Sequence, residues 1–107
     1  MSIVSIYVLF ATAEEAERVG DILLEERLAA CINIIGPVQS TYRWEEKIER
    51  SLEVAAILKT TDRQSPALMD RIAELHSYDV PCIVSWPIDE ILAPYARWVE
   101  ESVTRTP

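Results

Sequence analysis

The chain has 107 residues, half of them hydrophobic, and a formal net charge of −8. That balance excludes a nucleic-acid binder, which needs a basic surface against phosphates, and for the same reason disfavours an anionic membrane partner. The length predicts a single domain over residues 1–107, near the small end where oligomerisation adds buried area.

Two cysteines are too few for a disulfide scaffold, and "MSIVSIYVLFAT" lacks the basic region of a signal peptide. Apolar runs such as "LAACINII" are too short to span a bilayer. These features predict a soluble cytoplasmic protein with reduced thiols. Two glycines leave little room for a phosphate-cradling loop.

Residues 3–11 are rich in β-branched and aromatic side chains without a turn signal, which predicts a buried strand. Thr12 and Glu15 then have capping-box spacing, and Ala16, Val19, Ile22 and Leu23 form a helical apolar stripe to about residue 27. A long β region follows. Residues 30–35 reach Gly36-Pro37, where a bulge or edge position is expected, and Val38, Ser40, Tyr42 and Trp44 then alternate with polar neighbours. Glu45-Glu46 turns the chain, and residues 47–60 return with "LEVAAILKT" as their buried part.

Pro66 opens a second helix whose buried face is Leu68, Met69, Ile72 and Leu75. "SYDVP" ends it, because the residue before a proline avoids the α region. Residues 82–86 make a fourth strand, and an amphipathic segment over about 94–103 makes a last helix. The order is βαββαβ plus a C-terminal helix, an α+β ferredoxin-like sandwich with a long hairpin between its second and third strands. Right-handed crossovers put the first and third strands at the centre. Cys31 and Cys82 then fall on opposite edges, so no disulfide joins them within one chain.

Each hairpin arm would extend about 45 Å at about 3.3 Å per residue. A domain of this size is roughly 33 Å across. The tip, with Tyr42 and Trp44, must therefore overhang its own core, and an exposed aromatic ribbon needs a partner to cover it.

"EERLAACINI", "STYRW", "LEVAAILKTT", "HSYDVP" and "PYARWVEES", in that order, resemble the CutA family, the divalent-cation tolerance proteins. The resemblance implies a ferredoxin-like fold, a tight homotrimer joined through hairpins and edge strands, a likeness to trimeric PII signalling proteins, and a link to copper and other divalent cations. The family commonly has glycine where Glu46 stands here. Its copper ligands, a first-strand cysteine and a histidine pair, correspond to Phe10, Leu75 and His76, while Cys82 replaces a usual glutamate.

His76 is the sole histidine. A protonated imidazole at a helix C-terminus is its ordinary role, and a metal ligand together with Cys82, and carboxylates such as Asp79, is the alternative. Buried structural cysteine is the default for both thiols. Lys59 has two readings, a snorkelling side chain or a member of an inter-subunit ligand cleft with Tyr78 and His76. Tyr42 and Trp44 are read as trimer-interface anchors, and Glu45, Glu46, Glu49 and Glu53 as a solvated rim. No nucleophile–base pair stands out, so catalysis is not expected.

The reading is a cytoplasmic, non-enzymatic homotrimer that binds Cu(II) or another divalent cation weakly and requires no cofactor. Two alternatives remain: a PII-like trimer holding a small metabolite, and an enzyme using Lys59, Tyr78 and His76. The overhanging hairpin predicts a homo-oligomer in sizing with light scattering, and a monodisperse monomer at micromolar concentration would overturn it.

Overall fold

The computed structural model describes residues 2–104. The elements are β1 (Ile3–Phe10), α1 (Ala13–Glu25), β2 (Cys31–Trp44), β3 (Lys47–Thr61), α2 (Ser65–Leu75), β4 (Ile83–Pro87) and α3 (Ala93–Val103). The strands form one antiparallel sheet in the order β2-β3-β1-β4, with β1 and β3 central as expected. This is the predicted α+β architecture. Cys31 and Cys82 lie towards opposite edges, and both are free thiols.

Helix α1 begins where Thr12 is extended and its hydroxyl accepts from the Glu15 amide at 3.1 Å. The reciprocal bond of the capping box reaches one residue further out than the spacing predicts, because Glu15 Oε1 accepts from the Ala11 amide at 3.1 Å. At the other end the Leu28 amide donates to the Leu23 carbonyl and the Arg27 amide to the Leu24 carbonyl. That is a Schellman closure with Arg27 at φ 58° in the place usually taken by glycine. At Gly20 an added Cβ would stand 2.9 Å from Ile32 Cγ2, so α1 presses directly on β2.

Alternation along the central strands sends Val4, Ile6, Val8 and Phe10 of β1, with Ala56 and Leu58 of β3, to one face. There they pack against Val19 and Leu23 of α1 and Leu68 and Ile72 of α2. Fully burying a side chain such as Phe10 is worth roughly 1.5–3 kcal/mol. Arg71 ties the two helices together, its Nε and Nη2 each donating to the Glu26 carboxylate at 2.9 Å. Cys31, opposite Lys59, belongs to the other face, and α3 covers part of it. The Tyr95 hydroxyl lies 3.7 Å from Cys31 Sγ, and Val99 and Val103 are buried.

The hairpin pairs from Cys31 opposite Lys59 out to Trp44 opposite Lys47. Its register shifts between Ile34 and Gly36, making Ile35 the extra residue of a bulge, and Gly36 takes φ 126°. Pro37 follows on the edge strand, opposite Val54. The molecule measures 48 × 27 × 21 Å, and residues 41–50 are all exposed, so the tip overhangs the core as its length predicts.

Glu45 and Glu46 close the hairpin with φ values of 47° and 72°. Two positive φ angles are what a type I′ turn demands, and non-glycine residues carry about 1–2 kcal/mol of strain each in that region. Glu46→Gly should therefore raise stability by about 1 kcal/mol, read as a higher denaturant midpoint at fixed protein concentration and unchanged slope. A lower midpoint would show that the turn is not strained at this position.

Candidate functional site

The bulge decides which way the hairpin's aromatics face. Beyond it Val38 lies opposite Glu53, Ser40 opposite Ser51, Tyr42 opposite Glu49 and Trp44 opposite Lys47. Directly opposed residues share a face, and Glu53 lies two residues from Ala55, which pairs with Leu9. Tyr42 and Trp44 therefore stand on the Leu9 and Glu53 side, away from α1 and α2. Residues 78–82 form the facing wall of a groove of about 850 Å³, which also takes in Glu49 and Asp79.

That wall is held from beneath by two buried polar side chains. Glu15 Oε2 accepts from the Ser77 amide at 2.8 Å while Oε1 holds the Ala11 amide, so one carboxylate joins the start of α1 to the segment after α2. Burial by itself would raise the Glu15 carboxyl; hydrogen bonds from Ser77 and Ala11 outweigh it and hold the group below its ordinary value. His76 Nε2 lies 2.8 Å from the Leu9 carbonyl and therefore donates to it, while Nδ1 accepts from the Tyr78 amide at 3.1 Å. The ring stacks on Phe10 at 5.1 Å and is 9 % exposed. Rather than facing the helix end, the imidazole is turned inward and both its nitrogens are engaged by backbone.

Leu9 is the common partner, since its amide also donates to the Cys82 carbonyl at 3.2 Å. His76 thus lies under the groove, and Cys82 lines it. Tyr78, fixed by His76, sends its hydroxyl to donate to Glu53 Oε2 at 3.0 Å. Burial and then the Glu53 carboxylate push the Tyr78 hydroxyl up to about 12. Burial, and after it the charge of Glu53, also raises the Cys82 thiol. Both groups keep their protons at neutral pH.

Glu53 is the residue that sequence reasoning misplaced. Grouped with a solvated rim, it is only 8 % exposed, whereas Leu52 beside it is 72 % exposed. The period-two pattern places Glu53 on the same face as Ala55, whereas hydropathy alone favours burial of Leu52. Lys59 is half-buried near the opposite end of β3, opposite Ser5 and Cys31, about 20 Å along the strand from Glu53 at ~3.3 Å per residue. The structure thus brings Tyr42, Trp44, Tyr78 and Cys82 together in one groove and leaves Lys59 outside it. Among the described residues no three His, Cys, Asp or Glu side chains are grouped so as to hold a metal ion.

A family model described as CutA1 divalent ion tolerance protein matches residues 4–102. The chain is 42% identical over 98 residues to the divalent-cation tolerance protein CutA of Archaeoglobus fulgidus, covering 92% of this chain and 95% of that one. It is 33% identical over 100 residues to the human protein CutA, covering 94% of this chain and 56% of that one. Among solved structures, the A. fulgidus CutA, described as periplasmic, superposes with a TM-score of 0.92 at 40% identity over 95% of this chain and 99% of that one. No helix among the described residues is long and apolar enough to cross a membrane.

The depressed Glu15 carboxyl makes a pH-dependent prediction. A folded-state value below the unfolded 4.5 stabilises the fold above that pH, and the contribution disappears as pH falls through the folded value. Glu15→Gln should lower stability by about 1.5–3 kcal/mol at neutral pH, the range for hydrogen bonds to a charged group. Its deficit should shrink on acidification below pH 4.5, where the wild type loses the same carboxylate. Denaturation curves at neutral and acid pH read both effects, and a deficit independent of pH would overturn the assignment.

Proposed function

The chain belongs to the CutA1 divalent ion tolerance family, and from that premise we propose that it is a non-catalytic homotrimer that takes divalent cations, Cu(II) among them, weakly into the groove between hairpin and residues 78–82. The observation that carries the reading is the groove's donor set. Glu49, Glu53 and Asp79 supply carboxylate oxygens and Cys82 a softer donor along one wall-to-wall depression. Weakness follows from the spacing of these groups, no three of which, among the described residues, are gathered into a cage. His76 joins such a site only by giving up the Tyr78 amide or the Leu9 carbonyl, which makes Cys82 the nearer donor.

The trimer is supported by what the fold leaves uncovered. Strands β2 and β4 are sheet edges, and Ile35, Tyr42, Trp44, Ile48, Leu52, Val84 and Trp86 on the hairpin and edge strand are exposed. Joining edges and hairpins between copies removes both liabilities. We place the protein in the cytoplasm, where two unpaired thiols persist. A second reading, a PII-like trimer holding a small metabolite, draws support from a groove of about 850 Å³, far roomier than a bare ion needs.

Calorimetric titration of Cu(II) and Zn(II) into reduced wild type, Glu53→Gln, Cys82→Ser and His76→Ala tests the metal reading. Weak saturable binding that falls in Glu53→Gln or Cys82→Ser places the cation in the groove, and a fall in His76→Ala adds the imidazole. Binding unchanged in all three variants would sink the groove as the metal site.

A further inference from the structure

We propose that His76 is a proton-operated latch: one proton on its Nδ1 displaces the two backbone amides that fasten residues 77–82, so this strap is closed at neutral pH and loosens in acid. The inference goes beyond the ligand reading and holds whatever the groove takes. The imidazole lies beneath the groove and is not among the residues that line it.

Hydrogen bonds define the closed state. Nε2 donates to the Leu9 carbonyl at 2.8 Å and Nδ1 accepts from the Tyr78 amide at 3.1 Å, the pattern of a neutral ring with its hydrogen on Nε2. The ring stacks on Phe10 with 5.1 Å between centroids and 8° between planes, so it cannot turn Nδ1 elsewhere without leaving that contact. A proton arriving at Nδ1 therefore sets one N–H against another, that of Tyr78. The acceptor within reach is the Glu15 carboxylate, whose Oε2 stands 4.0 Å from Nδ1 and is already taken by the Ser77 amide at 2.8 Å. Opposite charges removed from water attract strongly at such a separation. Drawing the charged ring and the carboxylate together withdraws an acceptor from Tyr78 and from Ser77 at once, and these are successive amides at the start of the strap.

The surroundings direct the proton to Glu15. From β1 the ring meets the Leu9 carbonyl and Phe10, neither of which titrates. From the strap it meets Tyr78, with 4.8 Å between centroids, whose hydroxyl keeps its proton and lies on Glu53 of β3. On α2 the Glu74 carboxylate is engaged by Arg71. From α1 comes Glu15, held below its ordinary 4.5 and so still ionised as pH falls towards that value. The strap thus has two arrangements, a neutral ring with both amides bound and a charged ring bound to the carboxylate. In the second, Tyr78 loses the anchor that sets its hydroxyl on Glu53, and the groove wall is released.

NMR on the full chain from about pH 8 to about pH 5, the range in which histidine ordinarily titrates, tests the latch. Imidazole nitrogen shifts read the proton on Nδ1, and hydrogen exchange reads the Ser77 and Tyr78 amides. The ring is expected to gain its proton within this range. Protection of both amides, corrected for their intrinsic exchange, should fall about tenfold with the same midpoint. Glu15→Gln, which keeps the shape and removes the charge, should move that midpoint to lower pH. A ring that stays neutral throughout, amides that keep their protection once it is charged, or a midpoint unmoved in Glu15→Gln would each overturn the proposal. If Glu15→Gln does not fold, agreement or disagreement of the ring and amide midpoints in the wild type decides alone.

Discussion

The pairing of β2 with β3 slips by one residue at Ile35, and everything distal to that slip depends on it. A one-residue shift in a ladder moves every later side chain to the opposite face of the sheet. Proximal to the bulge, Ile32 pairs with Leu58 and faces the helices. Distal to it, Tyr42 and Trp44 share a face with Glu53. Without the slip the two aromatics would stand on the helix side of the ribbon, beyond the reach of any helix, and the groove would lose a wall. Gly36 at φ 126° is the residue that makes the slip affordable, since a side chain is rarely tolerated there.

The opposite wall depends on two buried polar groups acting in series. Glu15 caps its own helix and holds the Ser77 amide, which orients the turn containing His76. His76 then spends both ring nitrogens on backbone, one to Leu9 and one to Tyr78, and that positions the Tyr78 hydroxyl over Glu53. Each of these groups is buried and satisfied, the condition under which a polar network rigidifies a structure rather than weakening it. A capping signal local to α1 thereby becomes a long-range constraint on a loop more than sixty residues away in the chain.

Hydropathy is inverted along the hairpin, with Leu52 exposed and Glu53 buried. That inversion has one physical meaning on each face. On the helix side, the ribbon has outrun α1 and α2, so among the described residues its apolar side chains Ile48 and Leu52 stay exposed. On the groove side, residues 78–82 fold over Glu53, whose carboxylate accepts from the Tyr78 hydroxyl. Both features follow from a ribbon longer than the core that supports it.

The amino-acid sequence by itself determined the order and type of every element, the central and edge strands, the capping of α1 by Thr12, the overhang of the hairpin and the family. These follow from periodicity, capping chemistry, chain length and motif order, all of which are local or additive along the chain. Only the tertiary structure decided the placement of His76, Glu53 and Lys59. Whether the imidazole meets solvent or two backbone groups depends on how α2 ends against β1. Whether Glu53 is rim or floor depends on a bulge in the partner strand and a loop from the other end of the chain. Lys59 and Tyr78 look equally available as cleft residues in sequence, but within one chain strand length puts Lys59 outside the groove that Tyr78 lines. A side chain's burial is set by what non-local segments pack over it, and a local pattern fixes only the face on which it lies.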